Sequence, residues 1–327
     1  MKTQLLQSRK GRLFAASAIT LALTSGFAQA APVATWDYTT NTTFTAATFE
    51  TGGGGATTQS AYELSWGANG GNFQVDTGNA NTNRSALTIG KDTSANRTGG
   101  GPVANTPAGS NGINTTIGGS PNFSLGQIKA GTSFTHWNNP ISSAFNTLLG
   151  GTIVDTLTLT PYAPAGYGGQ AAVSAPTLTF LFKFQETPNG GSGGFCAGGR
   201  AIPAAGCEDL FGFNPTTLNN AFQYNDVGDD GIWGNGDDFM RTYYASVFVL
   251  DGSGNPFPIS QLLPGECGAI GLGAGCFGFR TAEAAQTSAQ FAFAVTTDPI
   301  VIPEPGSLAL LGLAFAGLAG MRRRKQS

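Results

Sequence analysis

The sequence predicts an all-β fold, a sandwich-like domain with Gly- and Asn-rich loops set between an N-terminal signal helix and a C-terminal membrane helix. Three observations carry this expectation. Apolar side chains alternate with period two: in Thr177 to Phe184 one face holds Leu178, Phe180, Phe182 and Phe184, and in Ala289 to Thr296 one face holds Phe291, Phe293 and Val295. Ile153 to Thr160 and Tyr243 to Leu250 alternate in the same way. Composition agrees, because 49 of the 327 residues are Gly and only 11% are charged, while 23 Phe supply the aromatics a folded core needs and a disordered chain lacks. Between residues 31 and 300 no long segment follows the helical period, apart from short helical turns at Ser143 to Leu149 and Pro215 to Asn220.

Residues 1–30 form a secretory signal. Basic Lys2, Arg9, Lys10 and Arg12 precede the mostly apolar run Leu13 to Leu23, and Ala28-Gln29-Ala30 supplies the small-x-small cleavage site, with cleavage after Ala30. Eleven residues span roughly 16 Å as a helix, against about 30 Å of bilayer hydrocarbon, which disfavours an uncleaved anchor.

The exported part, residues 31–300, divides by composition into a Gly/Asn/Thr-rich half, 31–131, and a second half, 132–300. The first half is expected to hold short strands joined by turns, with apolar alternation at Tyr62, Leu64 and Trp66, because Gly and Asn tolerate positive φ. Both halves are expected to form one domain. From Ala31 to Ile302 eight basic residues face eighteen acidic ones, about −10 in net charge, which excludes nucleic acid as a partner.

Four cysteines follow the signal: Cys196, Cys207, Cys267 and Cys276. An even count in an exported chain implies two disulfides. Proximity favours Cys196 with Cys207 and Cys267 with Cys276, and the absence of any Cys-x-x-Cys pair argues against a four-thiolate zinc site.

Residues 301–327 form the tail. Pro303-Glu304-Pro305 interrupts the chain, Leu308 to Met321 is wholly Leu, Ala, Gly, Phe and Met, and Arg322-Arg323-Arg324-Lys325 closes it. A helix starting after Pro305 would span about 21 Å over its apolar stretch, with the four cations held in the cytoplasm. This order of elements resembles the PEP-CTERM sorting signal of Gram-negative bacteria. The resemblance implies processing near Pro303, Glu304 and Pro305 by an exosortase, after export by the general secretion machinery and transient residence in the inner membrane.

Thr135-His136-Trp137-Asn138-Asn139-Pro140 contains the one histidine of the chain. With no second histidine and no free thiol expected, neither a Cys-His pair nor a multi-histidine metal centre can form. Thr, Asn and an Asn-Pro step favour a hydrogen-bonded turn, in which His136 would tie two strands together. The segment resembles the THxN group of PEP-CTERM proteins at Thr135, His136 and Asn138, as do Phe184 to Asn189, the stretch from Cys196 and Cys207 into Asp209-Leu210-Phe211, and Cys276 to Glu283. That resemblance implies a surface or extracellular-matrix protein associated with exopolysaccharide, and no catalytic residue.

Asp226, Asp229, Asp230, Asp237 and Asp238 crowd a Gly-rich stretch. Carboxylates so close repel one another unless a hard cation draws them together, which suggests weak Ca²⁺ binding. The spacing departs from an EF-hand, with Gly228 at the third position and Asp237 at the twelfth. A solvated acidic hairpin tip is the alternative. Glu186, Glu208, Glu266 and Glu283 could support glycoside hydrolysis, which requires two carboxylates flanking a sugar, but nothing in the sequence pairs any two of them. Trp137 or Trp233 could stack on sugar rings. The expected function is that of a non-enzymatic exported protein, with a carbohydrate-binding or carbohydrate-hydrolysing domain as the alternative.

Overall fold

A computed structural model describes residues 30–90, 103–104, 112–163, 167, 170–175, 177–204, 206–213, 219–228, 231–251 and 260–301. The signal segment before residue 30 and the tail from residue 302, with Pro303, Glu304, Pro305 and the apolar stretch Leu308 to Met321, lie outside the described residues. Among the described residues no helix is long and apolar enough to cross a membrane.

The chain is mostly strand, 51% against 5% helix, in two curled sheets. The first contains β1 (Thr35–Phe49), β5 (Val103–Ala104), β6 (Ile113–Asn114), β8 (Leu148–Ala163), β9 (Val173–Ser174), β10 (Leu178–Gln185), β11 (Asp209–Phe213), β14 (Ser260–Gln261) and β15 (Phe277–Thr281). Its order is β14-β15-β11-β10-β8-β1-β5, with β6 also on β1 and β9 also on β8. The second runs β12-β13-β16-β7-β4-β3-β2, where β2 is Ala56–Gln59, β3 Glu63–Gly67, β4 Arg84–Ile89, β7 Ile128–Asn138, β12 Asn220–Asp226, β13 Phe239–Asp251 and β16 Ala285–Thr296. Every pairing between these strands is antiparallel.

The period-two segments fall where alternation predicts them. Leu178, Phe180, Phe182 and Phe184 on β10 are buried, and the residues between them are exposed. Aromatic pairs join the two sheets. Trp36 on β1 meets Phe222, Tyr224 and Tyr243 edge-on at 5.8, 5.1 and 5.3 Å, and Phe134 on β7 meets Phe211 on β11 at 5.3 Å. Such edge-to-face pairs contribute beyond their buried area because ring edges and faces carry opposite partial charge.

Three local expectations are corrected. The first half is not limited to short strands: β1 runs fifteen residues and pairs with β8 almost throughout. It is hidden in the sequence because its inward positions include the buried threonines Thr40 and Thr42 among apolar ones. Second, Thr135 to Asn138 is not a turn but the end of β7, paired with β4 on one side and β16 on the other. Third, a helix, α1 (Pro264–Ala269), forms where none was expected, whereas the short turn expected from Ser143 is present and leads into β8 at Leu148, and most of Pro215 to Asn220 lies outside the described residues. Six residues are too few to show a helical period. Pro264 opens the helix, and Glu266 accepts the Leu263 amide at 2.9 Å.

Helix α1 packs on the outer face of β11 and β15 through Leu210, Leu262, Cys267, Ile270 and Cys276. Gly212 and Gly278, paired across these strands, make room for it. A Cβ on Gly212 would lie 2.2 Å from Ile270 Cδ1, and one on Gly278 2.8 Å from Leu262 Cδ1.

Candidate functional site

Four elements converge at one end of the interface between the sheets. β7 brings His136 and Asn138, while Thr135, on the alternate face of the strand, bonds Ser288 instead. Glu186 follows β10 directly, Asp209 opens β11, and Glu283 sits on the connection from β15 to β16. The connection turns through Ala284 at φ 52°, a left-handed conformation that costs a non-glycine residue about 1–2 kcal/mol. A donated ligand atom from each of Glu186, Asp209 and Glu283 lies within 4.8 Å of the other two. Asp209 is fully buried, and the two glutamates are half-buried.

Each carboxylate is fixed differently. Asp209 Oδ1 accepts from the Thr187 amide at 2.8 Å and the Thr187 hydroxyl at 3.2 Å, while Oδ2 has no hydrogen-bond partner. Glu186 Oε2 accepts from the Trp66 indole at 2.8 Å. Neither oxygen of Glu283 meets a donor at full hydrogen-bonding geometry. Among the described residues no Arg or Lys pairs with any of the three. Burial, the first cause, and mutual repulsion therefore disfavour their charged forms. The Glu186 carboxyl rises to about 8 despite the Trp66 hydrogen bond, the Glu283 carboxyl rises to about 7 through burial against the pull of the Asn189 and Asn138 amides, and Asp209 stands well above the usual range.

His136 lies under this cluster. Its ring stacks on Trp66 at 6.0 Å and meets Phe184 edge-on at 5.2 Å. Nδ1 bonds the Thr281 hydroxyl at 2.7 Å, and Nε2, without a hydrogen-bond partner, lies 3.9 Å from Asp209 Oδ2. Burial lowers its pKa to about 3, so the ring is neutral. Asn138 Nδ2 donates to the carbonyls of Thr281 and Ala282 at 3.2 Å each, and its Oδ1 has no partner. Thr135 shares a hydrogen bond with Ser288 at 3.0 Å. His136 and Asn138 thus tie β7 to the end of β15, the strand-tying role expected from the sequence, though from within a strand.

The other candidates lie elsewhere. Glu208 pairs with Arg200, and buried Glu266 takes a bidentate bond from Arg280 at 2.8 and 2.6 Å. Burial alone would raise the Glu266 carboxyl, but the Arg280 fork and the Leu263 amide hold it below the usual range. Cys196 bonds Cys207, and Cys267 bonds Cys276. Of the acidic stretch, Asp226 is buried and accepts from Arg241 Nε and the Tyr243 hydroxyl, while Asp238 accepts from Asn225 and the amides of Gly228 and Gly234 at 2.7–3.2 Å. Asp229 and Asp230 lie outside the described residues. Trp137 packs on Phe73 and donates to Thr88, and Trp233 packs on Tyr224.

Sequence reasoning named Glu186 and Glu283 as carboxylates without pairing them, and it quoted Asp209 only within a segment resembling the THxN group, not as a site carboxylate. The available signal was that Glu186 and Asp209 stand at the ends of apolar strand segments and Glu283 in the short connection between two more, where a side chain can face the seam between two sheets.

The described chain closes on a clamp before the tail. Asn219 donates to the Ile300 carbonyl at 2.9 Å and accepts the Ile300 amide at 2.6 Å. No curated protein matches the chain. Residues 301–325, immediately beyond that clamp, match the PEP-CTERM protein-sorting motif, which implies an exported protein targeted by an exosortase, with a membrane-anchored precursor and a surface location.

Proposed function

We propose that the chain is a non-enzymatic protein of the cell surface or extracellular matrix, a member of the THxN group of PEP-CTERM proteins, whose β domain is released by an exosortase near Pro303-Glu304-Pro305 and works within exopolysaccharide. The observation that carries this reading is the sorting motif over residues 301–325, beginning one residue after Ile300, the last hydrogen-bonded position among the described residues. A folded domain so close to the motif can be released with almost no trailing chain. The group assignment draws support from the convergence of its four quoted segments on one place: Thr135 to Asn138, Glu186, Asp209, and Thr281 with Glu283. Two buried disulfides suit an oxidising compartment.

Intact mass and fractionation from a native host, with and without Pro303-Glu304-Pro305 changed to Ala-Ala-Ala, test the reading. Loss of both the signal and the tail is expected, with the second loss abolished by the change. A mature chain still ending at Ser327 in both cases would refute exosortase release.

One observation favours a second reading, a carbohydrate-hydrolysing domain carried by the same route. Glu186 and Glu283, two of the four glutamates considered for hydrolysis, are brought together with raised pKa values suited to proton transfer. Release of reducing ends from host exopolysaccharide, lost in both Glu186→Gln and Glu283→Gln, would support it.

A further inference from the structure

We propose that Glu186, Asp209 and Glu283, with His136 Nε2 beneath them, form a binding site for one first-row divalent metal ion, Mn²⁺ or Zn²⁺ by ligand type, which locks the end of the two-sheet interface.

The geometry fits an ion. The three carboxylates place ligand atoms within 4.8 Å of one another. Ligands on opposite sides of an ion are about 4–5 Å apart at bond lengths of about 2.0–2.5 Å, so the spread matches one shared centre. Asp209 uses only Oδ1 for the Thr187 donors, leaving Oδ2 without a partner, and Glu283 is met only by the Asn189 and Asn138 amides, short of full hydrogen-bonding geometry.

The independent observation is His136. Its side chain is 1% exposed, and its Nε2, which has no hydrogen-bond partner, lies 3.9 Å from the unpartnered Asp209 Oδ2. Leaving a buried polar atom unpaired forfeits its hydration without return, and here two such atoms face each other. In the tautomer that donates Nδ1–H to the Thr281 hydroxyl, the neutral imidazole presents a lone pair at Nε2, the arrangement that orients metal-binding histidines through their second nitrogen. A dication would offset the repulsion among three acidic groups that no Arg or Lys among the described residues relieves.

The donor set indicates the metal. Carboxylates suit Mg²⁺, Ca²⁺ and Mn²⁺, whereas imidazole suits Zn²⁺ and other transition ions. A mixed set therefore favours Mn²⁺ or Zn²⁺ over Ca²⁺. The half-buried Glu186 and Glu283 leave a route for the ion from solvent. Because the ligands come from β7, β11, the exit of β10 and the turn after β15, one ion would crosslink both sheets.

The full chain, purified in mild detergent, is loaded separately with Mn²⁺, Zn²⁺ and Ca²⁺, dialysed and assayed by elemental mass spectrometry. About one Mn²⁺ or Zn²⁺ per chain is expected, with at least tenfold weaker binding in Glu186→Gln and Glu283→Gln. Chelation should lower the melting temperature of the wild type, and the same ion should restore it, a readout that stands even if a variant fails to fold. No bound Mn²⁺ or Zn²⁺, retention unchanged in both folded variants, or a melting temperature indifferent to chelator would each overturn the proposal. So would Ca²⁺ binding alone that survives Glu186→Gln, since it would belong to the acidic stretch around Asp237.

Discussion

His136 Nε2 lies 3.9 Å from Asp209 Oδ2, with both side chains at most 1% exposed and neither atom hydrogen-bonded. The pair joins the second sheet to the first: His136 is on β7, Asp209 on β11. Burial keeps the imidazole neutral, with its pKa lowered to about 3 from 6.5. A base depressed on folding contributes stability that is fully present above pH 6.5 and is lost as pH falls toward 3. Since the chain has one histidine, its imidazole resonances need no assignment. In chelator-treated protein the ring signals should stay those of the neutral form down to about pH 5. A midpoint near 6.5 would show the ring open to water.

Asp155 gives a pH effect of opposite sign. It is fully buried on β8 and accepts from Thr40, and burial raises its carboxyl to about 6 from 3.8 against the Thr40 and Thr42 hydrogen bonds. An acid whose folded pKa is raised contributes stability present below about pH 4 and lost as pH rises through 6. Asp155→Asn keeps an acceptor for Thr40 without the charge. Its stability relative to wild type should therefore improve between pH 4 and 6.5 by on the order of 3 kcal/mol, from about two pKa units at 1.36 kcal/mol each. Urea midpoints for the two proteins across that range check this, and parallel curves would contradict it.

Tyr243 anchors the start of the described chain. Its hydroxyl accepts the Val33 amide at 2.8 Å and donates to Asp226, itself bound by Arg241. Tyr243→Phe keeps the ring packing on Trp36 but strips two buried groups of a partner, which should cost about 1–3 kcal/mol. The denaturant midpoint should fall with the slope m unchanged.

The Cys267–Cys276 disulfide holds α1 against β15 within a small cluster of Leu210, Leu262 and Ile270. Paired change of both cysteines to Ser should lower stability by about 2–4 kcal/mol by freeing the unfolded loop. An unfolding free energy equal to that of wild type would mean the apolar cluster alone fixes the helix.

Much of the fold was legible in the residues themselves. Leu178, Phe180, Phe182 and Phe184 announce an inward face because strand side chains alternate whatever lies opposite. Cysteine spacing announced the two short-range disulfides, because nearby cysteines close small loops at little entropic cost. The sorting motif was legible because it is read as a linear sequence.

What the sequence did not determine was which distant residues meet. The long strand β1 escaped notice because buried Thr40 and Thr42 read as polar, and only its pairing with β8 and the Asp155 contact make them interior residues. Glu186, Asp209 and Glu283 are spread over nearly a hundred residues of chain, and their approach to His136 depends on how β7, β10, β11 and β15 are ordered within the two sheets. Local pattern sets each strand and the face it buries, because alternation is a property of the backbone. Which strand ends share a seam, and so which carboxylates confront the one imidazole, is set by nonlocal pairing that only the tertiary structure decides.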